Sequence, residues 1–343
     1  MSNSSNTKNN EQTAASDDSH WSSAQEAGTL FGLRFLWLIH KTLGRKAVSI
    51  LLLPTVAYFV IFRADSRKAS QEFLKNHYQQ YPDFWKRKPK FSDTIRHFRQ
   101  FAETVVDKLS SWYVELDSDL FKIHSPEVVE TLLNDTRGQL IIGSHFGNLE
   151  FCRGFMHRYK DKSINVLLHD KHSQNYTNIM AQLNPDSRLN VYQVDEFNIN
   201  TILSFKEKLD AGEWLFIAGD RIPLTGVERT VTVDFFNKKA ALPIGPYLLA
   251  KALDCPVKLM FSYQDFADKS GQIQFEVVDF AEKIVLSRKQ RQSDIENYAQ
   301  RFATELEKQC AKAPFQWFNF YDFWLPEENT QEQINTIANK EVA

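Results

Sequence analysis

The chain is poor in the residues on which the commonest cofactor and scaffold chemistries depend. It has only three cysteines, Cys152, Cys255 and Cys310, among 343 residues. They are isolated and odd in number, which excludes a disulfide framework and a cysteine-rich zinc site and fits a reducing compartment. Only 12 glycines occur, and none falls in a Walker loop or a G-x-G-x-x-G turn, so the backbone cradle for a nucleotide phosphate is missing. Charge of one sign is also lacking. With 41 basic and 43 acidic residues the formal charge is −2, so nothing draws the chain globally to nucleic acid, and none is expected as a partner. His169, Asp170 and His172 crowd together in "HDKH", but no H-E-x-x-H pattern or further ligand cluster accompanies them. No metal and no other cofactor is therefore expected.

Long apolar runs are scarce as well. Residues 1–20 lack the apolar stretch of a secretory signal, and residues 1–24 read as a disordered polar tail. Residues 326–343 read as a second polar tail. Between residues 25 and 64 one run stands out: the sixteen residues from Ala47 to Phe62 carry no charge. As a helix they rise about 24 Å, short of the roughly 20 residues needed to cross hydrocarbon. Pro54 interrupts the run, no polar face faces water, and Arg45, Lys46, Arg63, Arg67 and Lys68 flank it. Residues 25–64 are read as a membrane-anchor segment, spanning or embedded, with a buried core helix as the rival reading.

What is present is organised as one domain over residues 65–325. Two helices open it, at "SRKASQEFLKNHYQQY" and "SDTIRHFRQFAETVVDKLSSWYV", the second with Ser92 as its expected N-cap and with Ile95, Phe98, Phe101 and Val105 at helical spacing. Lys86, Arg87, Lys88 and Lys90 lie between them, a charged linker or a contact for phospholipid headgroups or an acidic carrier protein. From about residue 126, apolar runs alternate with helical patterns. "QLIIG", "INVLLHD", "RLNVYQV", "EWLFIAG" and "PVKLMFSY" read as buried strands, and "QNYTNIMAQLN", "NTILSFKEKLDAG" and "GPYLLAKAL" as the helices between them. This alternation predicts an α/β fold with a largely parallel central sheet flanked by helices, and places the site at the carboxyl ends of the strands. Candidate chemistry falls there in "GSHFGNLE", in "AGDR" and in "FFNKKAALPIGP", which reads as a loop before a helix.

In "GSHFGNLE", His145 and Glu150 are five residues apart. On one continuous helix that spacing turns side chains by about 140°, so the two meet only if His145 lies in the loop and Glu150 in the first turn after it. Gly143 and Gly147 make such a turn easy. The glutamate then orients the imidazole, whose other nitrogen takes a proton from a hydroxyl. The competing reading is a satisfied core histidine and a surface glutamate. Ser144 does not stand at the nucleophile position of G-x-S-x-G, and Cys152 has no basic neighbour in sequence to activate it.

The ordered blocks "GSHFGNLE", "AGDR" and "VDFFNKKAALPIGPYLLAKALDCPV" resemble the lysophospholipid acyltransferase superfamily, specifically the late, lauroyl/myristoyl-type acyltransferases of lipid A biosynthesis. The resemblance covers roughly residues 30–325. It implies transfer of a fatty acyl chain from a thioester, acyl carrier protein or acyl-CoA, to a hydroxyl of a membrane lipid or glycolipid at the cytoplasmic face of a bacterial inner membrane. It implies His145 as general base with Glu150 as partner. It also places Asp220 and Arg221 in a block that shapes the acceptor or phosphate region, and Phe236, Pro243 and Gly245 in one lining the acyl groove. Arg153, one turn after Glu150, is expected to meet that glutamate or a donor phosphate. Gln316 and Trp317 begin a terminal block that in such enzymes reads Q-W-x-W-x-H-x-R; here Tyr321 and Phe323 replace the cations, which weakens the case for a phosphorylated disaccharide and suggests other lipids, such as aryl polyene or ornithine-type conjugates. A thioesterase or lipid hydrolase using the same pair on water is the alternative chemistry.

Overall fold

The computed structural model describes residues 51–113, 118–152, 163–168, 189–193, 199–222, 229–264 and 272–326, with residue 155 and short stretches between residues 32 and 50. Arg153, His169, Asp170, His172, the expected helix at residues 174–184, residues 1–24 and nearly all of the C-terminal tail lie outside them. The described helices are α1 (Leu53–Phe62), α2 (Ala64–Gln80), α3 (Phe91–Tyr113), α4 (Pro126–Asn134), α5 (Ile199–Asp210), α6 (Gly245–Leu253) and α7 (Arg291–Lys312). The strands are β1 (Phe121–Ile123), β2 (Gln139–Gly143), β3 (Ile164–Leu168), β4 (Leu189–Gln193), β5 (Trp214–Ala218), β6 (Thr230–Phe235), β7 (Lys238–Pro243), β8 (Val257–Gln264) and β9 (Ile273–Ala281).

Seven strands form one sheet in the order β1-β9-β8-β2-β5-β3-β4. Every neighbouring pair is parallel except β8 and β9. The five strands expected from apolar runs are β2, β3, β4, β5 and β8. The central strands among them were legible because strands covered on both faces read as continuous hydrophobic stretches: every residue of β2 is buried, whereas β4 lies at the sheet edge with Asn190 exposed.

Residues 238–243, read above as loop, are instead β7, which pairs antiparallel with β6. It opens with a half-exposed and an exposed lysine, and Ala241 is half-exposed between the buried Ala240 and Leu242, so it lacks the apolar run that marks the central strands. Phe236 and Asn237, with φ of 53° and 56°, make the two-residue turn of this hairpin, both residues in the left-handed region that such a turn needs. Phe236 is held in that unusual state by donating its N–H to Glu307 Oε2 at 2.7 Å and by burying its ring beside Phe73, His77 and Phe235.

At the N-terminal end, α1 continues helical residues 47–51 through a turn at Leu52. Pro54 lies in the first turn of α1, where its missing N–H does little harm. Val48, Leu52, Val56 and Val60 are buried, packing on Phe98, Ala102 and Val106 of α3. Ile50, Leu53, Tyr58, Phe59, Ile61 and Phe62 remain exposed. Among the described residues one row of its side chains is thus covered by α3, and the other, also apolar, is not. No single described helix is long and apolar enough to cross a membrane, and the pair Ala47–Phe62 and Ala64–Gln80 bends by 92° at its junction.

Ser92 does not cap α3. The helix starts at Phe91, and the Lys90 N–H donates to Asp93 Oδ2 at 2.7 Å, a carboxylate reaching back over the first turn.

Candidate active site

Adjacent parallel strands place residues of equal offset side by side. In the β2–β5 pair, Gly143 stands opposite Ala218, so the residues two beyond each strand end, His145 and Asp220, emerge next to one another. The His145 Nδ1–H donates to Asp220 Oδ1 at 2.8 Å, and the His145 backbone N–H donates to Asp220 Oδ2 at 2.8 Å. Glu150 is thus not the imidazole's partner, contrary to the spacing argument. Among the described residues no hydrogen bond joins the two. Glu150 sits half-buried in the turn that follows, its N–H donating to Asn148 Oδ1 at 3.1 Å; burial lowers the pKa of Lys108 of α3, and the Glu150 charge opposes that shift while Arg221 adds to it.

The turn between them is set by Gly147, at φ +64°. A Cβ there would lie 1.8 Å from the Ser262 carbonyl oxygen, so only glycine lets the loop pass so close to β8. Flanking bonds fix it: the Gly147 N–H donates to the Gln316 carbonyl at 2.7 Å and the Asn148 N–H to that of Ser262 at 2.8 Å.

Asp220 is closed off from water while the His145 side chain remains 34% exposed. Burial alone raises the Asp220 carboxyl, but the His145 charge, the two His145 hydrogen bonds and Arg221 outweigh it and hold the group below the ordinary carboxylate range. A buried carboxylate kept ionised beside an exposed imidazole selects the tautomer with the proton on Nδ1 and leaves Nε2 as the basic nitrogen.

The C-terminal segment completes the site. The Trp317 Nε1–H donates to Asp220 Oδ2 at 3.2 Å, and the Tyr321 hydroxyl donates to the Asp220 carbonyl at 2.9 Å. The Phe318 N–H donates to the His145 carbonyl at 2.9 Å. Trp317 is fully buried among Phe73, Phe235 and Phe323. Tyr321 and Phe323, standing where cations were expected, here serve to seat this segment on the sheet.

Arg221 is exposed beside Asp220, donates from Nη2 to the Phe318 carbonyl at 3.2 Å, and lies over the Tyr321 ring. Of the residues singled out in sequence, the fold thus gathers His145, Asp220, Arg221 and Trp317. Phe236 is only 3% exposed and belongs to the aromatic core under the hairpin. Pro243 ends β7 and Gly245 opens α6.

Two nucleophile candidates are placed unfavourably. The Ser144 hydroxyl is buried and accepts the Phe146 N–H at 3.3 Å. The Cys152 thiol donates to Ser262 Oγ at 3.3 Å, and burial pushes its pKa up to about 12, so it carries no thiolate near neutrality. Among the described residues no group of three or more His, Cys, Asp or Glu is placed to hold a metal ion.

The equal offset of "SH" and "GD" from their strand ends was the signal that could have paired His145 with Asp220. It becomes readable only when β2 and β5 are known to be neighbours. A search of curated proteins finds no match to the chain. The family model for bacterial lipid A biosynthesis acyltransferases matches residues 18–325. The chain, an acyltransferase by that relationship, belongs to the bacterial lipid A biosynthesis acyltransferase family.

Proposed function

We propose that this acyltransferase moves a fatty acyl chain from a thioester, acyl carrier protein or acyl-CoA, directly onto a hydroxyl of a membrane lipid or glycolipid, with His145 as general base. The observation that carries the reading is the bond from His145 Nδ1 to the buried, ionised Asp220. His145 Nε2 takes the proton of the acceptor hydroxyl as its oxygen attacks the thioester carbonyl. Asp220 holds the ring and stabilises the imidazolium that forms. The C–S bond then breaks and the imidazolium returns the proton to the departing thiolate, so no acyl-enzyme is needed. Arg221, exposed next to this pair, is a cation available to a substrate phosphate or to the developing oxyanion.

The enzyme works at a membrane surface in this reading. The exposed apolar row of α1, with Ile61 and Phe62 at its end and Arg63, Arg67 and Lys68 beyond, suits a helix embedded in one leaflet with its basic end at anionic headgroups. The bend at the α1–α2 junction fits embedding better than spanning. The three buried, unpaired cysteines fit a cytoplasmic face of the inner membrane. Since Tyr321 and Phe323 replace two expected cations and serve packing, the acceptor is better sought among lipids less phosphorylated than a lipid A disaccharide, aryl polyene or ornithine-type conjugates included.

Mass spectrometry of total lipids from cells carrying the wild-type chain, His145→Ala, or a deletion tests the reading. One lipid lighter by a fatty acyl group in both altered strains is expected. A lipid change on deletion that His145→Ala does not reproduce overturns the chemistry. Acyl release into water at the full rate without any acceptor makes the enzyme a thioesterase instead.

A further inference from the structure

Asp220 is aimed by Trp317, and Trp317 is itself held from behind by α3. The buried His97 imidazole bonds through Nε2 to the Trp317 carbonyl oxygen at 2.8 Å and through Nδ1 to the Ser70 hydroxyl of α2 at 2.9 Å. A carbonyl oxygen only accepts, so Nε2 carries the proton, Nδ1 accepts from Ser70, and the tautomer of His97 follows. The ring is enclosed by Phe73, Phe315, Phe318 and Phe320, which keeps it neutral. One helical turn on, the Gln100 side chain accepts a hydrogen bond from the Gln316 Nε2–H at 2.9 Å. One face of α3 therefore grips two consecutive residues of the C-terminal segment.

Those residues are also the ones that reach the reacting pair. The Gln316 carbonyl receives the Gly147 N–H, the Trp317 indole meets Asp220, and the next N–H, that of Phe318, meets the His145 carbonyl. The Trp317 carbonyl is the group between these contacts, and His97 is what holds it.

We propose that His97 is a positioning residue for acyl transfer: by fixing the Trp317 peptide with its tautomer locked by Ser70, it sets the angle at which Trp317 presents its N–H to Asp220, and so the aim of Asp220 at His145. The inference rests on the His145–Asp220 reading above. Deleting the contact moves reacting groups without touching substrate, and a misplacement of about 1 Å lowers turnover on the order of 100-fold.

The test is a double-mutant cycle on full-length protein in detergent, with a fatty-acyl thioester of acyl carrier protein as donor, total membrane lipid as acceptor, and folding checked by circular dichroism. His97→Leu is expected to lower kcat by about 10- to 100-fold with KM within about two-fold. His97→Gln, whose amide can still donate to the carbonyl, stays within about five-fold of wild type. In the Asp220→Asn background His97→Leu costs no more than about a further two-fold, because no carboxylate remains to aim. Equal losses in both backgrounds overturn the proposal, since a merely structural histidine acts regardless of Asp220, and so does full activity of His97→Leu. Should His97→Leu not fold, Ser70→Ala serves in its place. It frees the tautomer alone and is expected to give a smaller kcat loss that again vanishes with Asp220→Asn, while a loss that persists there overturns the proposal. If Asp220→Asn alone leaves turnover intact, the His145–Asp220 reading itself has failed, an outcome separate from a failure at His97.

Discussion

Asp220→Asn is the substitution that separates the two carboxylates offered as partners of His145. In the wild type, Asp220 Oδ2 accepts two N–H groups, from the His145 backbone and the Trp317 indole, while Oδ1 accepts the His145 Nδ1–H. An asparagine in the same rotamer has one oxygen and one amide nitrogen for these three donors. The oxygen stays where two donors converge, and the NH2 then faces Nδ1. Nδ1 can meet an NH2 only as an acceptor, which moves the ring proton to Nε2 and removes the lone pair that would take the hydroxyl proton. A triad aspartate changed to asparagine loses about 10⁴-fold in kcat for this reason in the serine-protease template. A loss of about 10³- to 10⁴-fold is expected here, equivalent to about 4 to 5.5 kcal/mol of transition-state stabilisation.

The assay is acyl transfer from a radiolabelled acyl carrier protein thioester to membrane lipid, resolved by thin-layer chromatography, with the melting temperature recorded in parallel. Glu150→Gln is the matched comparison, because it leaves the Nδ1 partner in place; its loss is expected to be smaller than that of Asp220→Asn. Retention of more than about a tenth of wild-type kcat in Asp220→Asn, with Glu150→Gln the more damaging of the two, would falsify the assignment of Asp220 as the orienting group.

Gly147→Ala forces a Cβ to within 1.8 Å of the Ser262 carbonyl in a left-handed conformation, and a stability loss of at least about 2 kcal/mol is expected; an unchanged urea midpoint would show that the loop does not lie so close to β8. Burial lowers both His77 and His97 from 6.5 to about 4. The unfolded chain therefore binds more protons than the folded one between these values. The stability they confer is complete above about pH 6.5 and is lost as pH falls toward 4, about 2 kcal/mol for each histidine by pH 5; melting temperatures measured from pH 7 to pH 5 should fall, and a flat profile in that window refutes the neutral assignment. Ile61→Asp combined with Phe62→Asp alters two side chains that are 62% and 68% exposed; it should abolish flotation with anionic vesicles while leaving the melting temperature within about 2 °C, and undiminished flotation counts against embedding of α1. The Cys152, Cys255 and Cys310 thiols are all buried with raised pKa values, so native protein should resist iodoacetamide at pH 8 and react only when unfolded.

Read alone, the chain was most transparent where one environment acts on a whole segment. Strands β2, β5 and β8 are covered on both sides and declare themselves as apolar runs. Helices α2 and α3 show their periodicity because one stripe packs inward. The apolar α1 was recognisable as unusual for the same reason, since side chains on both its faces are hydrophobic. Less was visible where solvent covers one face, as in β7, or where a cap lies one residue from the expected one, as at Asp93. Local sequence also determined that His145 follows a strand in a tight glycine turn, and it carried the blocks that mark the acyltransferase family.

What only the tertiary structure decided is which carboxylate the histidine meets. His145 and Asp220 are 75 residues apart, and their pairing depends on β2 lying beside β5 in parallel with Gly143 opposite Ala218. Spacing along a chain constrains contacts within a turn or a helix. It says nothing about strand order, because sheet hydrogen bonds are made between backbones and carry no residue label. For the same reason the hold of Trp317 on Asp220, and of His97 on Trp317 across 220 residues, appears only once the sheet is assembled and the C-terminal segment lies across its carboxyl edge.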